Sequence, residues 1–166
     1  QLSLISKHED ADGVSTSKPF EKDGLQVLED EIKFDNQKLD KFIAVRLTTD
    51  EKRLFAKIHV VLPVDLLNAN ENEVLRVVNR MNMDFQPCST AYNVEAGKIE
   101  LGSYLSLVGS PVFFAEDADS DWEYEVQALT NLFAATLGQV GDWIDKLAIL
   151  EKPNATATDV FKVSKQ

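Results

Sequence analysis

The alternation of residue types between Arg53 and Val64 constrains the fold of this chain more than any other sequence feature. In an extended strand, successive side chains point to opposite faces, so every second residue shares a face. One face is apolar and the other is mixed, basic and aromatic. A strand of this kind is typical of an antiparallel sheet that packs one side on helices. The apolar face would carry Leu54, Ala56, Ile58, Val60 and Leu62, and the mixed face Arg53, Phe55, Lys57, His59 and Val61.

Two hairpins are predicted from the strands on either side of this segment. Residues 42–48 are apolar and β-branched, and the polar residues 49–52 form a turn into the alternating strand. A second hairpin is predicted from residues 89–94 and 99–108. Gly97 would supply the positive φ of its turn.

Residues 25–34 fit neither the helical nor the strand period cleanly. We expect a bulged strand that pairs with residues 42–48, with a short helix as the alternative.

The spacing of apolar residues predicts an amphipathic helix over about residues 70–83. Either Asn70 or Asn72 could cap its start. The apolar stripe leading into and along this helix consists of Leu66, Leu67, Val74, Val77, Val78 and Met81.

A longer helix is predicted at the C-terminal end, with a length of about 28 residues. The pattern from Ser120 to Glu123 is a capping box, and apolar residues then recur at three- and four-residue intervals as far as Leu147. Gly138 and Gly141 mark either close packing or a bend.

These elements predict one α+β domain at residues 20–151, with an antiparallel sheet of about five strands, helices on one face and the long helix last. Residues 1–19 contain few apolar anchors, and Pro153 would stop a helix. We therefore expect a flexible N-terminal arm at 1–19 and a flexible C-terminal tail at 152–166.

Charge and composition exclude several classes of function. The net charge is −11, which disfavours both nucleic acid and anionic membranes as partners. One cysteine and two histidines provide little for disulfides, metal sites or acid–base catalysis. No stretch approaches the roughly 18 apolar residues of a membrane span, and we expect a cytoplasmic location.

Three groups of residues could carry chemistry, but each of them also has a purely structural interpretation. The acidic run after Glu116 opens like a calcium loop, but Trp122 and Ala128 occupy positions that require Gly and Glu. Cys88 has no CxxC partner. We therefore expect no metal, no cofactor and no catalytic residues. The third hypothesis is that Arg46, Lys57 and His59 form a positive patch, which would receive an acidic segment of a partner protein.

The order of the elements and the run from Val74 to Asn82, after Leu62-Pro63, resemble the type III secretion chaperone-like fold. In particular they are similar to the bacterial YbjN-like proteins, in which an apolar helix ends in an Asn-x-x-Asn-like motif. The usual first helix of that fold is not obvious in residues 1–24. The resemblance implies a non-enzymatic regulator or chaperone that binds a partner protein, commonly as a dimer.

Two functions are therefore weighed. The first is a dimeric protein-interaction module, in which the contacts would be made by Leu75, Val78, Met81, Phe55, His59 and Val61. Phe42 or Tyr92 could add to the partner surface on the sheet. The alternative is a small-ligand-binding sensory domain. Its pocket would lie between the sheet and the C-terminal helix, lined by Trp122, Phe133 and Trp143.

Overall fold

The computed structural model describes residues 4–8, 17–35, 40–50, 55–84, 88–106 and 123–163. Seven strands and three α-helices occur in these ranges. The strands are β1 (Leu4–Ser6), β2 (Phe20–Lys22), β3 (Leu25–Phe34), β4 (Ile43–Asp50), β5 (Phe55–Val61), β6 (Ser89–Asn93) and β7 (Lys98–Ser106). The helices are α1 (Glu71–Asp84), α2 (Glu123–Leu147) and α3 (Ala157–Val163), and a 3-10 turn at Ala148–Glu151 joins the last two.

The strands form one sheet in the order β1-β3-β4-β5-β7-β6, and every pairing is antiparallel. β2 also pairs with β3, so β1 and β2 pair with the two ends of the same strand. Side chains from all three helices join the sheet in one hydrophobic core. The predicted α+β architecture is confirmed, and the sheet is wider than expected because β1 and β2 add to it.

The alternation is confirmed on β5 and determines which face of the sheet is buried, while Arg53 and Leu54 lie outside the described residues. Ala56, Ile58 and Val60 are at most 1% exposed, whereas the residues between them are half-buried on the opposite face. The same alternation continues on β4, where Ile43 and Val45 are buried. One face of the sheet thus packs on helices and the other stays accessible.

Residues 25–34 form strand β3, as predicted in preference to a helix. Its pairing with β4 runs from Gln26 to Ile32 without an inserted residue, so the expected bulge is absent from that ladder. The apolar residues of β3 change face along the strand. Val27 is buried on the side opposite to Ile32 and Phe34. This change of face explains why neither sequence period fitted the segment.

The turn between β2 and β3 is made by Asp23 and Gly24, which both have positive φ (54° and 76°). Two successive residues with positive φ are required in the type I′ turn of a two-residue hairpin, for which Asp-Gly is a strong sequence signal. Strand β2 is not among the strands predicted above, although the Asp-Gly signal for its turn is present in the sequence.

Helix α1 agrees with the predicted helix to within one residue at each end. The Asn70 side-chain oxygen accepts a hydrogen bond from the backbone N–H of Asn72 at 3.0 Å, which confirms Asn70 as the cap. Val74, Val77, Val78 and Met81 are buried.

At the end of α1, the Asn82 side chain is bonded to both backbone groups of Thr90 on strand β6. Its amide donates to Thr90 O at 2.9 Å, and its oxygen accepts from Thr90 N at 2.7 Å. The Asn82 side chain therefore occupies the outer edge of β6 at Thr90. This contact protects the sheet edge from pairing with other strands.

Helix α2 runs through Gly138 and Gly141 without interruption. A Cβ at Gly141 would lie 3.5 Å from the Phe34 ring, so this glycine sits in close packing against β3. Gly138 has open space around it. Within the described residues, no helix combines the length and apolar character needed to cross a membrane. The capping-box residues Ser120–Trp122 lie outside the described residues.

The structure differs from the expected flexible ends in two places. Strand β1 lies within the predicted arm, and helix α3 within the predicted tail. Ala157 and Val160 are fully buried in the core, because the chain resumes a helix after Pro153. Glu73 of α1 accepts a hydrogen bond from Ala157 N at 2.7 Å. This bond satisfies a first-turn amide of α3 and lowers the pKa of the Glu73 carboxyl.

We predict that Gly97→Ala destabilises the protein by about 2 kcal/mol or more, because a left-handed residue costs about 1–2 kcal/mol and the new methyl also meets backbone. Gly97 has φ +62°, as predicted, and its Cβ would lie 2.6 Å from Leu67 N. Gly24→Ala is the matched control, since Gly24 has φ +76° with open space around it. Denaturant unfolding should show the larger loss for Gly97→Ala, and equal losses would contradict the steric argument.

Candidate protein-binding face

The accessible side of the sheet forms a continuous polar and aromatic surface across β3, β4, β5 and β7. We call this surface the open face. Its residues alternate with the buried ones along each strand, so the same periodicity that builds the core also places them together. The open face comprises Glu29, Glu31, Ala44, Arg46, Lys57, His59, Val61, Glu100 and Tyr104.

Arg46 lies near the centre of the open face. Glu29 is its neighbour on β3 and His59 is its neighbour on β5, each directly opposite in the strand pairing. The Arg46 Nε donates to Glu29 Oε1 at 2.6 Å, and Nη2 contacts the same oxygen. Both side chains are about half exposed, so this ion pair adds little to stability but fixes the position of the guanidinium.

His59 is held in place by a carboxylate from the neighbouring strand. Its Nε2 lies 3.1 Å from Glu100 Oε2, and the Asn93 amide donates to Glu100 Oε1 at 2.9 Å. The Asn93 hydrogen bond and, to a smaller extent, His59 hold the pKa of the Glu100 carboxyl below its usual value. Glu100 therefore remains ionised beside His59 under mildly acidic conditions.

An exposed aromatic residue adjoins these charged groups. Tyr104 is 63% exposed, and the Lys57 ammonium lies 5.4 Å from the centre of its ring. Lys57 and Tyr104 are direct neighbours across β5 and β7. An accessible aromatic ring with a cation above it is the kind of group that protein interfaces use as an anchor.

A depression of about 370 Å³ lies on the open face over β3, β4 and β5. Both histidines of the chain reach it, His59 from the sheet and His8 from the segment that follows β1. Its remaining lining residues are Glu29, Asp30, Glu31, Ala44, Val45, Arg46 and Val61.

The six residues predicted as contacts fall into two groups on opposite sides of the sheet. Phe55, His59 and Val61 share the open face and are half-buried. Val78 and Met81 lie in the hydrophobic core, whereas Leu75 on α1 is 37% exposed. The structure thus brings the three β5 residues together and places Leu75 at the surface of the helical layer. Their role as contacts stays a prediction.

The hypothesis of a positive patch needs a correction. Arg46, Lys57 and His59 do share one face, but Glu29 and Glu100 pair with two of them. These carboxylates could not be predicted from the local sequence, because they come from other strands and only the register of the sheet places them beside the cations.

The two aromatic residues suggested for the partner surface lie on different sides of the sheet. Phe42 precedes β4 and is half-buried, with the Lys33 ammonium 5.3 Å from its ring centre, so it adjoins the open face. Tyr92 instead packs against the core and donates to Leu66 O at 3.0 Å. Burial raises the pKa of the Tyr92 hydroxyl.

Among the described residues, the other candidate sites are not brought together. Cys88 is buried with its Sγ 2.6 Å from Gln139 Oε1, and burial raises the pKa of its thiol, which disfavours a reactive thiolate. Among the described residues, no group of three His, Cys, Asp or Glu side chains could hold a metal ion. Residues 116–122, the main part of the acidic run, lie outside the described residues. Trp143 is in the core and Phe133 packs against it.

Comparisons with known proteins give one structural similarity. No family model matches the sequence, and no curated protein matches it. Among solved structures, the crystal structure of the ExsC-ExsE complex is similar to this chain, with 16% identity, a TM-score of 0.37, and coverage of 68% of this chain and 74% of that chain.

We predict that Asn93→Ala raises the pKa of the Glu100 carboxyl toward its usual value, because the variant removes the hydrogen bond that most favours the charged form. Carboxyl chemical shifts followed by NMR across a pH titration measure this change. Asn79→Ala, at an exposed position on α1, is the matched control and should leave Glu100 unchanged. An unaltered titration of Glu100 in Asn93→Ala would contradict the assignment.

Proposed function

We propose that this chain is a non-enzymatic protein-interaction module of a chaperone-like or regulatory kind, which acts as a dimer and binds a partner protein through the open face. The observation that carries the proposal is the accessible face itself, where Tyr104, Lys57 and Arg46 are presented on the rigid strands of the sheet. Rigid elements hold contact residues more accurately than loops do.

The order of the elements also supports the proposal. Strands β3, β4 and β5 are followed by α1, then by β6 and β7, and then by the long helix α2. This is the order that the sequence shares with the type III secretion chaperone-like fold and the YbjN-like proteins. The described residues before β3 form strands β1 and β2, so the usual first helix of that fold is not found there. A cytoplasmic location and a bacterial origin belong to the same proposal.

The alternative function is a sensory domain with a ligand pocket between the sheet and α2, where Trp122 lies outside the described residues. Trp143 and Ile144 fill the space beneath α2 as part of the core. In the same layer, Ser103 on β7 and Thr136 on α2 form a buried hydrogen bond of 2.8 Å. The depression described above lies on the other side of the sheet.

We predict that Tyr104→Glu removes partner binding, because it replaces the exposed aromatic anchor by a charge without touching the core. Affinity capture from the native host followed by mass spectrometry should retain a defined polypeptide with the wild type and lose at least about 90% of it with the variant, the effect of a hot spot worth 1.4 kcal/mol or more. Met83→Glu is the matched control, since Met83 is 77% exposed on the helical side and should retain the partner. If the wild type and both variants retain the polypeptide equally, the partner binds at a surface that does not include Tyr104.

For the dimer, we predict that Leu75→Asp and Met81→Asp behave differently. Leu75 is at the surface, so Leu75→Asp should cost the fold less than about 1 kcal/mol and should convert the dimer to a monomer in sedimentation. Met81 is fully buried, so Met81→Asp should destabilise the fold by about 4 kcal/mol or more. A monomeric wild type at micromolar concentration would contradict the dimer, and a Leu75→Asp variant that remains dimeric would place the contact elsewhere.

A further inference from the structure

We propose that the surface where the β6–β7 loop meets the chain leading into α1 is a second docking surface. Its occupant is a basic segment of another protein, in which apolar side chains lie between cations. We call this surface the loop patch and define it by Leu67, Val94, Asp65, Glu71 and Glu95. None of these residues belongs to the open face, so the inference goes beyond the proposed function.

The loop patch presents two apolar side chains to solvent. Leu67 is 59% exposed and Val94 is 48% exposed. A Cβ at Gly97 would lie 2.6 Å from the Leu67 Cγ, so the Leu67 side chain rests on this glycine. Val94 and Gly97 are the first and last residues of the loop between β6 and β7. Neighbouring exposed apolar residues with a polar rim are typical of contact sites, whereas isolated ones are ordinary.

Each of these apolar residues has a carboxylate beside it. Asp65 Oδ1 accepts a hydrogen bond from Leu67 N at 3.3 Å, and Glu95 follows Val94 in the loop. Glu71 adds a third carboxylate as the first residue of α1. All three acidic residues are exposed.

The hydroxyl of Tyr92 shows that two of these charges lie close together. It donates a hydrogen bond to Leu66 O at 3.0 Å, directly before Leu67 in the chain. Burial raises the pKa of this hydroxyl, and the nearby charges of Glu71 and Asp65 raise it further. The two carboxylates therefore act on the same small region.

The carboxylates of the loop patch are not neutralised by the part of the chain that the structure describes. There, none of the three forms an ion pair. The neighbouring cation Lys98 donates to Val64 O at 2.8 Å. Glu151, which accepts a hydrogen bond from Asp65 N, is paired with Lys41. With Lys98 included, three carboxylates and one ammonium give a local charge of −2.

Charge complementarity therefore favours a basic occupant. Arginine suits this role, because its guanidinium binds a carboxylate through paired donors. The exposed Leu67 and Val94 would contact the apolar side chains of the same segment. A second copy of this chain, docked symmetrically on the loop patch, would instead bring like charges together.

The test uses a blocked synthetic heptapeptide with arginine at both ends, leucine at the third and fifth positions, and serine at the others. In an extended conformation the two arginines and two leucines share one side. One control peptide replaces the arginines by glutamine, and another replaces the leucines by serine. Binding to the full chain is followed by NMR, through the backbone amide shifts, at constant pH and salt.

One pair of variants separates the loop patch from the rest of the acidic surface. Glu71→Gln combined with Glu95→Gln removes two charges from the patch. Glu21→Gln combined with Asp142→Asn removes two charges from other exposed positions. Both double variants have the same net charge, so a general attraction between the peptide and an acidic protein affects them equally.

A second pair of variants tests the apolar part. Val94→Ser and Val163→Ser each remove an exposed valine side chain, and the two are 48% and 49% exposed. Leu67→Ser repeats the test at the other apolar residue of the patch. Circular dichroism confirms that each variant folds.

The arginine–leucine peptide should shift the amides of Leu67 and of residues 94–96, with a dissociation constant of about 1 mM. Both control peptides should bind at least about fivefold more weakly. The Glu71→Gln and Glu95→Gln double variant, Val94→Ser and Leu67→Ser should each weaken binding about fivefold. The two matched controls should stay within about twofold of the wild type.

Several outcomes would overturn the inference. They are no binding of the arginine–leucine peptide at millimolar concentration, equal binding of the three peptides, equal weakening by matched variants, and shifts on the open face in place of the loop patch. Sedimentation of Val94→Ser as a monomer beside a dimeric wild type would assign the patch to a contact between copies and would also overturn it. The proposed function is tested separately, by Tyr104→Glu on the other surface.

Discussion

The burial of alternate side chains on β5 is the constraint on which the rest of the structure depends. Ile58 and Val60 are fully buried in the centre of the sheet, and the helices complete their surroundings. Because the strand period is two, this burial forces Lys57, His59 and Val61 onto the opposite face. A slip of one residue in the register would exchange the two sets. The hydrophobic core therefore specifies the chemistry of the open face as well as the stability of the fold.

Much of the fold could be predicted from local patterns, and the omissions have physical causes. The alternation before Pro63, the helix capped by Asn70 and the turn at Gly97 are all local signals, and the structure confirms each of them. Of the predicted apolar stripe, Leu67 is the exception, since it is 59% exposed while the other five residues are buried. Helix α3 was missed because it is short and its stability comes from contacts with distant residues. Its Ala157 amide bonds to Glu73, which lies 84 positions earlier in the chain.

The candidate site was less predictable than the fold, because it combines residues from separate strands. The sequence predicts Arg46 and His59 as members of a positive patch, and the alternation of side chains along β4 and β5 places both residues on the open face. The positions of the neighbouring carboxylates depend on the register of the strands. The register pairs Glu29 with Arg46 on one side and brings Glu100 to His59 on the other. No local pattern contains that information. A cluster of positive residues in the sequence thus becomes a balanced set of charges in the fold.

The double hydrogen bond between Asn82 and Thr90 has a consequence for the chemical ageing of the protein. Asparagine side chains slowly lose their amide by hydrolysis, a reaction that converts the residue to an acid. The resulting carboxylate could still accept a hydrogen bond from Thr90 N, but when ionised it could no longer donate one to Thr90 O. One altered atom would therefore leave a carbonyl of β6 without its donor and open that edge of the sheet to other strands.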